Sequence, residues 1–414
     1  MSDYRIAGID VHKKMLAVVV TDVAVEGNYT FERQTFGTTS DQLRILIQWL
    51  SERNVKEAIM ESTAQYWKTV WRELEAELSC CRLHLAQAFS NRAPRGRKED
   101  FRDAERLVRR YVAGELILSF VPGAEQQLWR TVSHTKYQLT RDRARVANQL
   151  EALLEDCRIK LSSVVSQLMG VSSRRMLKAL AQGECDPAKL AAMADCNLRA
   201  GADTLCNALS AAATLDPARR KLLNITLARL ELLEKQIGEL ETLLAELLLK
   251  HSDAVARLAE IPGLGVDSAQ QIIAEVGPEA ATFATAGNMA SWVGVCPGRE
   301  ESAAVSVSDR SPKGNQAMRR VLNQCANAAV KAKGSAFEVY YSRVVPRLGH
   351  NKAVWSVAHK LCTVTWIVLH KKESYKELGP RPNLDAVRKR ASRLATQLRR
   401  MGYTVISPST EVSA

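Results

Sequence analysis

Hydrophobic and polar residues follow two different periods in the first 90 residues of the chain. Short β-branched or alternating runs predict strands, whereas apolar residues that recur every three to four positions predict helices. Strands are predicted at 5–10, 16–21, 29–36, 57–60 and 81–86, and helices at 40–53 and 66–79. This part of the chain is therefore predicted to be an α/β domain.

The order of these runs narrows the type of sheet. Three early strands in a meander, followed by alternating strand and helix, favour a ribonuclease-H-like sheet. A doubly wound nucleotide-binding fold would instead carry a glycine-rich turn after its first strand. The stretch that follows the first strand, "GIDVHKK" at 8–14, has no such turn.

From about residue 128 to residue 250 the strand signals disappear and long helical patterns replace them. Apolar residues repeat every seven positions, with further leucines three places after most of them, which is the spacing of a coiled-coil seam. An upstream helix offers a second apolar stripe, so the seam could join two subunits or close a helical hairpin within one chain. The seam comprises Leu223, Leu230, Leu233, Ile237, Leu240, Leu244 and Leu247, and the upstream stripe comprises Leu139, Val146, Leu150 and Leu153.

A third region begins with a turn between two helical runs, "IPGLG" at 261–265. Gly263 and Gly265 fit a helix-hairpin-helix, in which backbone N–H groups and a helix N-terminus face a phosphate. Any helical hairpin can use glycine and proline at its turn, so a purely structural role is the alternative. Beyond it, residues 371–400 hold ten basic and three acidic residues, which fits contact with a phosphate backbone or a solvated face.

The overall charge points to a polyanionic partner. The chain has 414 residues, with 58 basic against 45 acidic ones, a net charge of +13. Nucleic acid is the leading candidate, ahead of an anionic membrane surface. The nine cysteines show no zinc spacing, no secretion signal is visible, and the longest apolar run, near 364–369, is too short to span a bilayer. We expect a cytoplasmic, nucleoid-associated protein of bacterial type with reduced thiols.

Four carboxylates are candidates for a metal site. Asp10 and Glu61 each end an apolar run, so they are expected at the same end of neighbouring strands. Asp100 and Asp103 lie three residues apart at the start of a predicted helix and therefore share a face. Four such groups in one place would repel each other, and Mg²⁺ ions, which prefer oxygen ligands, would relieve that repulsion.

Each of these acids also has a simpler interpretation. Asp10 could pair with Lys13 or Lys14, Glu61 could be a surface charge, and the two helical aspartates could cap their helix. Taken together, the placement at strand ends and the adjacent basic stretch favour the metal site. That stretch comprises Arg92, Arg95, Arg97 and Lys98.

Several motifs, in order and spacing, resemble one known family. The chain is similar to the DEDD transposases (recombinases) of bridge-RNA-guided insertion sequences, the IS110 and IS1111 group. The N-terminal motifs are "GIDVHKK", "MESTAQYWKTVW" (60–71) and "KEDFRDA" (98–104), and the C-terminal ones are "IPGLG", "WVGVCPGREESAA" (292–304) and "SPKGNQAMRRVL" (311–322). The resemblance covers roughly residues 4–370 and is weakest in the helical middle.

The resemblance implies both a fold and a chemistry. It implies a RuvC-like domain in which Asp10, Glu61, Asp100 and Asp103 bind Mg²⁺, and a transposase domain with Ser302 as nucleophile. It implies attack on the scissile phosphate, a phosphoserine intermediate and strand exchange without free double-strand breaks. The implied partners are donor and target DNA duplexes, a structured noncoding guide RNA, and further copies of the chain in a dimer or tetramer.

The residues around the serine depart from the family pattern. Ser302 is followed by Ala303, Ala304 and Val305, where family members often have glycine or alanine, then glycine and then lysine, so Ser306 or Ser308 are alternative nucleophiles. Lys313, Arg319 and Arg320, together with Lys13 and Lys14, are predicted phosphate contacts or else solvated charges.

We therefore predict four regions: a RuvC-like DEDD domain (1–125), a helical coiled-coil segment (126–255), a mainly helical transposase domain (256–370) and a basic tail (371–414). Two other functions fit the same residues. One is a Holliday-junction-type nuclease that uses the four acids without serine chemistry. The other is a non-enzymatic DNA-binding scaffold built on the helix-hairpin-helix and the coiled coil.

Overall fold

The computed structural model of the chain describes residues 4–23, 29–62, 65–88, 99–297, 300–302, 305–308, 311, 313–377, 384–401 and 404. Two compact units divide the chain, Met1–Glu125 and Gln126–Ala414. The first is a mixed α/β unit and the second is largely helical. Among the described residues, no helix is long and apolar enough to cross a membrane.

The first unit contains one six-stranded sheet and three helices. In chain order these are β1 (Arg5–Val11), β2 (Met15–Asp22), β3 (Glu32–Gly37), α1 (Ser40–Glu52), β4 (Val55–Glu61), α2 (Trp67–Glu77), β5 (Arg82–Ala86), α3 (Asp100–Val112) and β6 (Leu118–Ser119). The sheet order is β3-β2-β1-β4-β5-β6. The first three strands form an antiparallel meander, and β4 and β5 then run parallel to β1. The predicted strands and helices all appear, with small differences in their ends.

Successive side chains of a strand point to opposite faces of this sheet, and helices pack on both faces. Ala7 and Ile9 of β1 belong to the core beneath α1 and α2. Ile6 of β1 and Ile59 of β4 belong to a second core, beneath α3. The sheet is therefore buried on both sides, which explains why its central strands are almost wholly apolar.

Glycine at position 8 lets α3 lie unusually close to β1. A Cβ atom at Gly8 would stand 2.4 Å from the carbonyl oxygen of Ala104 and 2.8 Å from Val108. Any side chain there would push the helix away. The close contact fixes the height of α3 over the sheet.

The second unit contains the remaining helices and one hairpin. In chain order these are α4 (Ala124–Asp156, which begins at the unit boundary), α5 (Leu161–Val164), α6 (Val171–Gln182), α7 (Pro187–Ala192), α8 (Ala202–Ala208), α9 (Pro217–Leu247), α10 (Ser252–Ala259), α11 (Val266–Val276), α12 (Ala286–Val293), β7 (Glu300–Ser302), β8 (Val305–Ser308), α13 (Gln316–Ala329), α14 (Ala336–Lys371) and α15 (Leu384–Arg400). The short antiparallel hairpin β7–β8 was not predicted. The basic tail contains the helix α15.

The leucines of the predicted seam on α9 belong to cores of their own chain, and α9 runs beside α4. Ion pairs join Arg143 of α4 to Glu234 of α9 and Lys136 of α4 to Glu241 of α9, so the two helices run antiparallel. The leucines near the start of α9 share a core with the end of α4 and with α5–α8. Those near its end share a core with the start of α4 and with α10–α14. These contacts favour the alternative in which the seam is used inside one chain.

The "IPGLG" turn packs against a neighbouring helix. Gly263 has a φ of +89°, and a Cβ atom there would lie 2.5 Å from the carbonyl oxygen of Cys325 and 2.6 Å from the nitrogen of Ala329, both on α13. Gly265 is exposed and precedes α11, with open space where a Cβ would be. The first glycine therefore has a packing role, whatever the turn binds.

Candidate metal centre and the serine hairpin

Asp10 and Glu61 lie at the carboxyl ends of two neighbouring strands and on one face of the sheet. The parallel register pairs Ile9 with Met60, so the next residues along, Asp10 and Glu61, are neighbours. By strand alternation Asp10 shares the face of Ile6 and Gly8, and Glu61 shares the face of Ile59. This is the face that α3 covers.

Helix α3 brings Asp100 to the same place. Ala104 lies over Gly8, and Asp100 precedes it by four residues, or about 6 Å of helix. Asp10 follows Gly8 by two residues, or about 6.6 Å of strand. Helix α3 and strand β1 run in opposite directions, and these two offsets are nearly equal. The start of α3 therefore lies beside the end of β1. Asp100 and Asp103 lie in the first turn of α3, where the helix dipole favours negative charge.

The other three acids lie near enough to Asp10 to affect its pKa, and of the four acids Asp10 and Asp100 lie closest to forming a ligand group among the described residues. Burial raises the pKa of the Asp10 carboxyl above its ordinary value; nearby His12 lowers it, and the carboxylates of Asp103, Asp100 and Glu61 raise it further. Arg106 donates a hydrogen bond to Asp103 at 2.7 Å and offsets part of this charge. The remaining repulsion suits a divalent cation bound by carboxylate oxygens.

The side chain that faces Asp10 in the structure is His12, a residue that was not among the predicted site residues. Its Nε2 lies 3.2 Å from Oδ2 of Asp10 and 3.1 Å from Oδ1 of Asp100. One ligand atom from each of these three residues lies within 4.8 Å of the other two. Lys13 and Lys14, the alternative partners considered for Asp10, are exposed. The signal available in the sequence was the i, i+2 spacing of Asp10 and His12, which places both side chains on one face at the end of a strand.

The candidate serines lie in the β7–β8 hairpin. Ser302 is the last residue of β7 and pairs with Val305, while Glu301 pairs with Ser306 and Glu300 with Ser308. The side chains of this hairpin lie outside the described part of the structure. The basic stretch Arg92, Arg95, Arg97 and Lys98 lies outside the described residues as well.

Two arginines of α13, Arg319 and Arg320, are predicted phosphate contacts and have partners within the second unit. The guanidinium of Arg319 donates to the carbonyl of Gly294 and lies over the Trp355 ring at 4.4 Å. The guanidinium of Arg320 donates to Gln271 at 2.8 Å and lies 3.8 Å from the Tyr137 ring centroid. Both groups have internal partners, because α13 packs these faces against its neighbours. Lys313 is exposed, as a phosphate contact requires.

A buried carboxylate, Glu275 of α11, lies beside the start of α13 and was not predicted. His134 of α4 hydrogen-bonds it at 2.6 Å, and Asn315 donates to it at 3.0 Å. Burial alone would raise the pKa of Glu275, but His134 and the Arg130 charge outweigh burial and lower it. Asn315 also caps α13 through Met318 N. The network ties α4 and α11 to the helix that follows the serine hairpin.

Comparison with known proteins matches both units. Residues 7–159 match a family model for IS110-type DEDD transposases, described as "Transposase". Residues 255–342 match the family described as "Transposase IS116/IS110/IS902 family". The two matches together include all four acids, the "IPGLG" turn and Ser302.

Three curated relatives are similar over parts of the chain. The transposase for insertion sequence element IS1111A of Coxiella burnetii is 26% identical over 164 residues, which is 39% of this chain and 44% of that protein. An insertion element IS900 uncharacterized 42 kDa protein of Mycobacterium paratuberculosis is 26% identical over 139 residues, 33% of this chain and 34% of that protein. A probable family 20 transposase of Pseudomonas aeruginosa is 24% identical over 320 residues, 76% of this chain and 83% of that protein. The matched stretches thus span less than half of the first two relatives.

Proposed function

This chain belongs to the IS110 family of insertion-sequence transposases, and from that premise we propose that it breaks and rejoins DNA strands as a serine-dependent recombinase. The observation that supports this most directly is that Asp10 and Asp100 lie together, with Glu61 and Asp103 close by, inside the stretch that matches the DEDD model. The order β3-β2-β1-β4-β5 of the sheet supports a ribonuclease-H-like, RuvC-like class for the first unit.

The four carboxylates would hold divalent cations, with Mg²⁺ as the proposed ion. Bound there, a cation supplies Lewis-acid stabilisation to the charged oxygens of a phosphodiester. The protein contributes by fixing Asp10 on β1 and the two aspartates on α3, so that the site is organised before DNA arrives. The contact between Gly8 and Ala104 sets this spacing.

Ser302 is the proposed nucleophile. Its Oγ would attack the scissile phosphorus, so that the bond from phosphorus to Oγ forms while the bond to the leaving deoxyribose oxygen breaks. The hydroxyl proton leaves and the departing oxygen gains one, so the phosphodiester bond is exchanged and not hydrolysed. A second exchange in the reverse sense would join the strand to a new partner.

The proposed partners are donor and target DNA duplexes, a structured guide RNA and further copies of this chain. In this scheme base pairing between RNA and DNA supplies sequence specificity, and the protein contacts backbone and shape. The net charge of +13 and the exposed Lys13, Lys14 and Lys313 support such contacts. The division of the second unit at 255/256 and 370/371, and action in the bacterial cytoplasm, belong to the same proposal.

Covalent trapping on DNA tests the serine chemistry. Wild-type protein incubated with substrate DNA, guide RNA and Mg²⁺ should carry a nucleotide adduct on the peptide that contains Ser302, found by mass spectrometry. Ser302→Ala should lose the adduct and recombination while still binding DNA and RNA, because one hydroxyl adds little to a large phosphate interface. Ser306→Ala and Ser308→Ala are the matched controls and should keep both.

Other outcomes would contradict parts of this proposal. An adduct on Ser306 or Ser308 would move the nucleophile within the hairpin. DNA cleavage by Ser302→Ala with no adduct in any variant would replace the recombinase by a metal-dependent nuclease that uses water. Binding without any metal-dependent cleavage would favour a non-enzymatic scaffold.

A further inference from the structure

His12, which is not one of the four acids, lies beside two of them at distances that fit a nitrogen ligand of the same metal ion. Its Nε2 is 3.2 Å from Asp10 Oδ2 and 3.1 Å from Asp100 Oδ1. Adjacent ligands of an octahedral ion with bonds of about 2.1 Å lie about 3.0 Å apart. The imidazole nitrogen is therefore spaced from both oxygens as neighbouring ligands of one ion would be.

A hydrogen bond accounts for only half of this arrangement. Nε2 of an imidazole carries at most one hydrogen, which points along a single direction in the ring plane. It cannot be aimed well at Asp10 and Asp100 together. A cation placed between the three atoms would instead contact all of them.

The backbone holds His12 in this position. It begins the turn between β1 and β2, and its N–H donates to the carbonyl of Met15 at 3.0 Å. Thr38 donates from its hydroxyl to the carbonyl of Lys13, the next residue, at 3.1 Å. The side chain is thus presented from a turn bonded on both sides, as a pre-organised ligand requires.

We propose that His12 is a ligand of the metal bound by Asp10 and Asp100, and that it shifts the selectivity of this site from Mg²⁺ toward first-row transition ions such as Mn²⁺. Imidazole nitrogen suits transition ions, whereas Mg²⁺ takes oxygen ligands almost alone. This inference rests on the proposed metal site, but not on the serine chemistry or the guide RNA.

Spin-echo spectroscopy of Mn²⁺ bound to the full-length protein tests the ligand directly. With ¹⁵N-labelled histidine, the wild-type protein should show modulation from a directly coordinated nitrogen, and His12→Ala should lose it. His350→Ala removes an exposed imidazole from the second unit and should keep the signal. In binding titrations without DNA, His12→Ala should weaken Mn²⁺ binding on the order of 10-fold or more. Its Mg²⁺ binding should change less, so the Mn²⁺ over Mg²⁺ preference falls.

The outcomes separate this inference from the proposed function. Mn²⁺ that binds the wild-type protein and is lost in Asp10→Asn, but shows no coordinated nitrogen, would overturn the role of His12 and leave the carboxylate site intact. A nitrogen signal that survives in His12→Ala would also overturn it. Failure of the wild-type protein to bind either ion would overturn the metal site and His12 together.

Discussion

At the scale of single residues, the surroundings of Asp10 are unfavourable for a charged carboxylate. Burial and three neighbouring carboxylates disfavour its ionised form, so the site carries a cost in the absence of a cation. A carboxylate in such surroundings does not stabilise the fold. Its position is better explained by a role in binding a cation. The same reasoning separates Asp10 from Glu234, whose partners are all cationic.

Asp10→Asn should separate metal binding from stability. Removing one negative charge relieves repulsion, so we expect the metal-free variant to unfold at a temperature equal to or above that of the wild type. Added Mg²⁺ or Mn²⁺ should raise the unfolding temperature of the wild type but not of the variant, and recombination should be lost. Asp41→Asn, an exposed substitution on α1, is the control and should behave as wild type. A variant that recombines normally would contradict the assignment of Asp10.

Glu234 gives a prediction for pH. Hydrogen bonds from Arg174 of α6, and then from Arg143 of α4, outweigh burial and lower the pKa of Glu234 to about 2. Because the folded-state pKa lies below the unfolded one, this contribution to stability is present above about pH 4.5 and is lost as pH falls toward 2. Glu234→Gln should lower the free energy of unfolding by about 1–2 kcal/mol at pH 7, since the pair is partly exposed.

Melting curves of wild type and Glu234→Gln between pH 7 and pH 2.5 would measure the effect. The difference between the two proteins should shrink across the acidic range. A constant difference would mean that the carboxylate charge is not what joins α4, α6 and α9. Glu239→Gln, on the exposed face of α9, should show no such trend.

At the scale of elements, turns and close contacts decide how the helices meet. Gly8 allows α3 onto β1, and Gly263 allows the α10–α11 turn onto α13. In both places the chain needs a residue without a Cβ because backbone atoms of a neighbouring helix occupy that space. The "IPGLG" turn is thus a structural joint of the second unit as well as a candidate phosphate contact.

Two glycines of that turn provide a matched pair of substitutions. Gly263→Ala introduces a Cβ against α13 and strains a residue with positive φ, so we expect a loss of about 2–4 kcal/mol in the free energy of unfolding. Gly265→Ala meets open space at an ordinary φ and should stay within about 0.5 kcal/mol of wild type. Urea denaturation would compare them. If Gly265→Ala alone weakens DNA binding, the helix-hairpin-helix interpretation gains support; equal stability of the two variants would refute the packing role of Gly263.

At the scale of the whole molecule, α4 and α9 connect the two cores of the second unit. The buried leucines of α9 are used inside the chain, so an interface with another copy through α9 would use its more exposed residues. Leu232 and Leu243 lie on one exposed side of α9, 55% and 40% accessible, eleven residues or about three turns apart. This stripe is where the proposed oligomer would be expected to meet α9.

Charge substitutions on the two sides of α9 would separate assembly from folding. Leu232→Glu with Leu243→Glu should reduce the particle mass in light scattering with little change in unfolding temperature, because like charges would face each other across the interface. Leu240→Glu, where the side chain packs against the protein's own core, should instead lower the unfolding temperature. An unchanged mass for the double variant would exclude this face from the oligomer.

Local periodicity by itself determined much of the first unit. Strand alternation and the order of strands were sufficient to place Asp10 and Glu61 at one sheet edge, because parallel neighbours end together, and helical spacing put Asp100 and Asp103 on one face. Contacts between distant segments were decided only by the tertiary structure. His12 meets Asp100 because α3 begins beside a turn that lies 88 residues earlier in the sequence. Arg319 and Arg320 contact internal partners because α13 is packed on several sides, and α9 pairs with α4 because an antiparallel partner lies in the same chain. A heptad repeat or a pair of basic residues in the sequence indicates that a helix face will make contacts. Which partner that face contacts is decided by how the other helices are arranged in the folded chain.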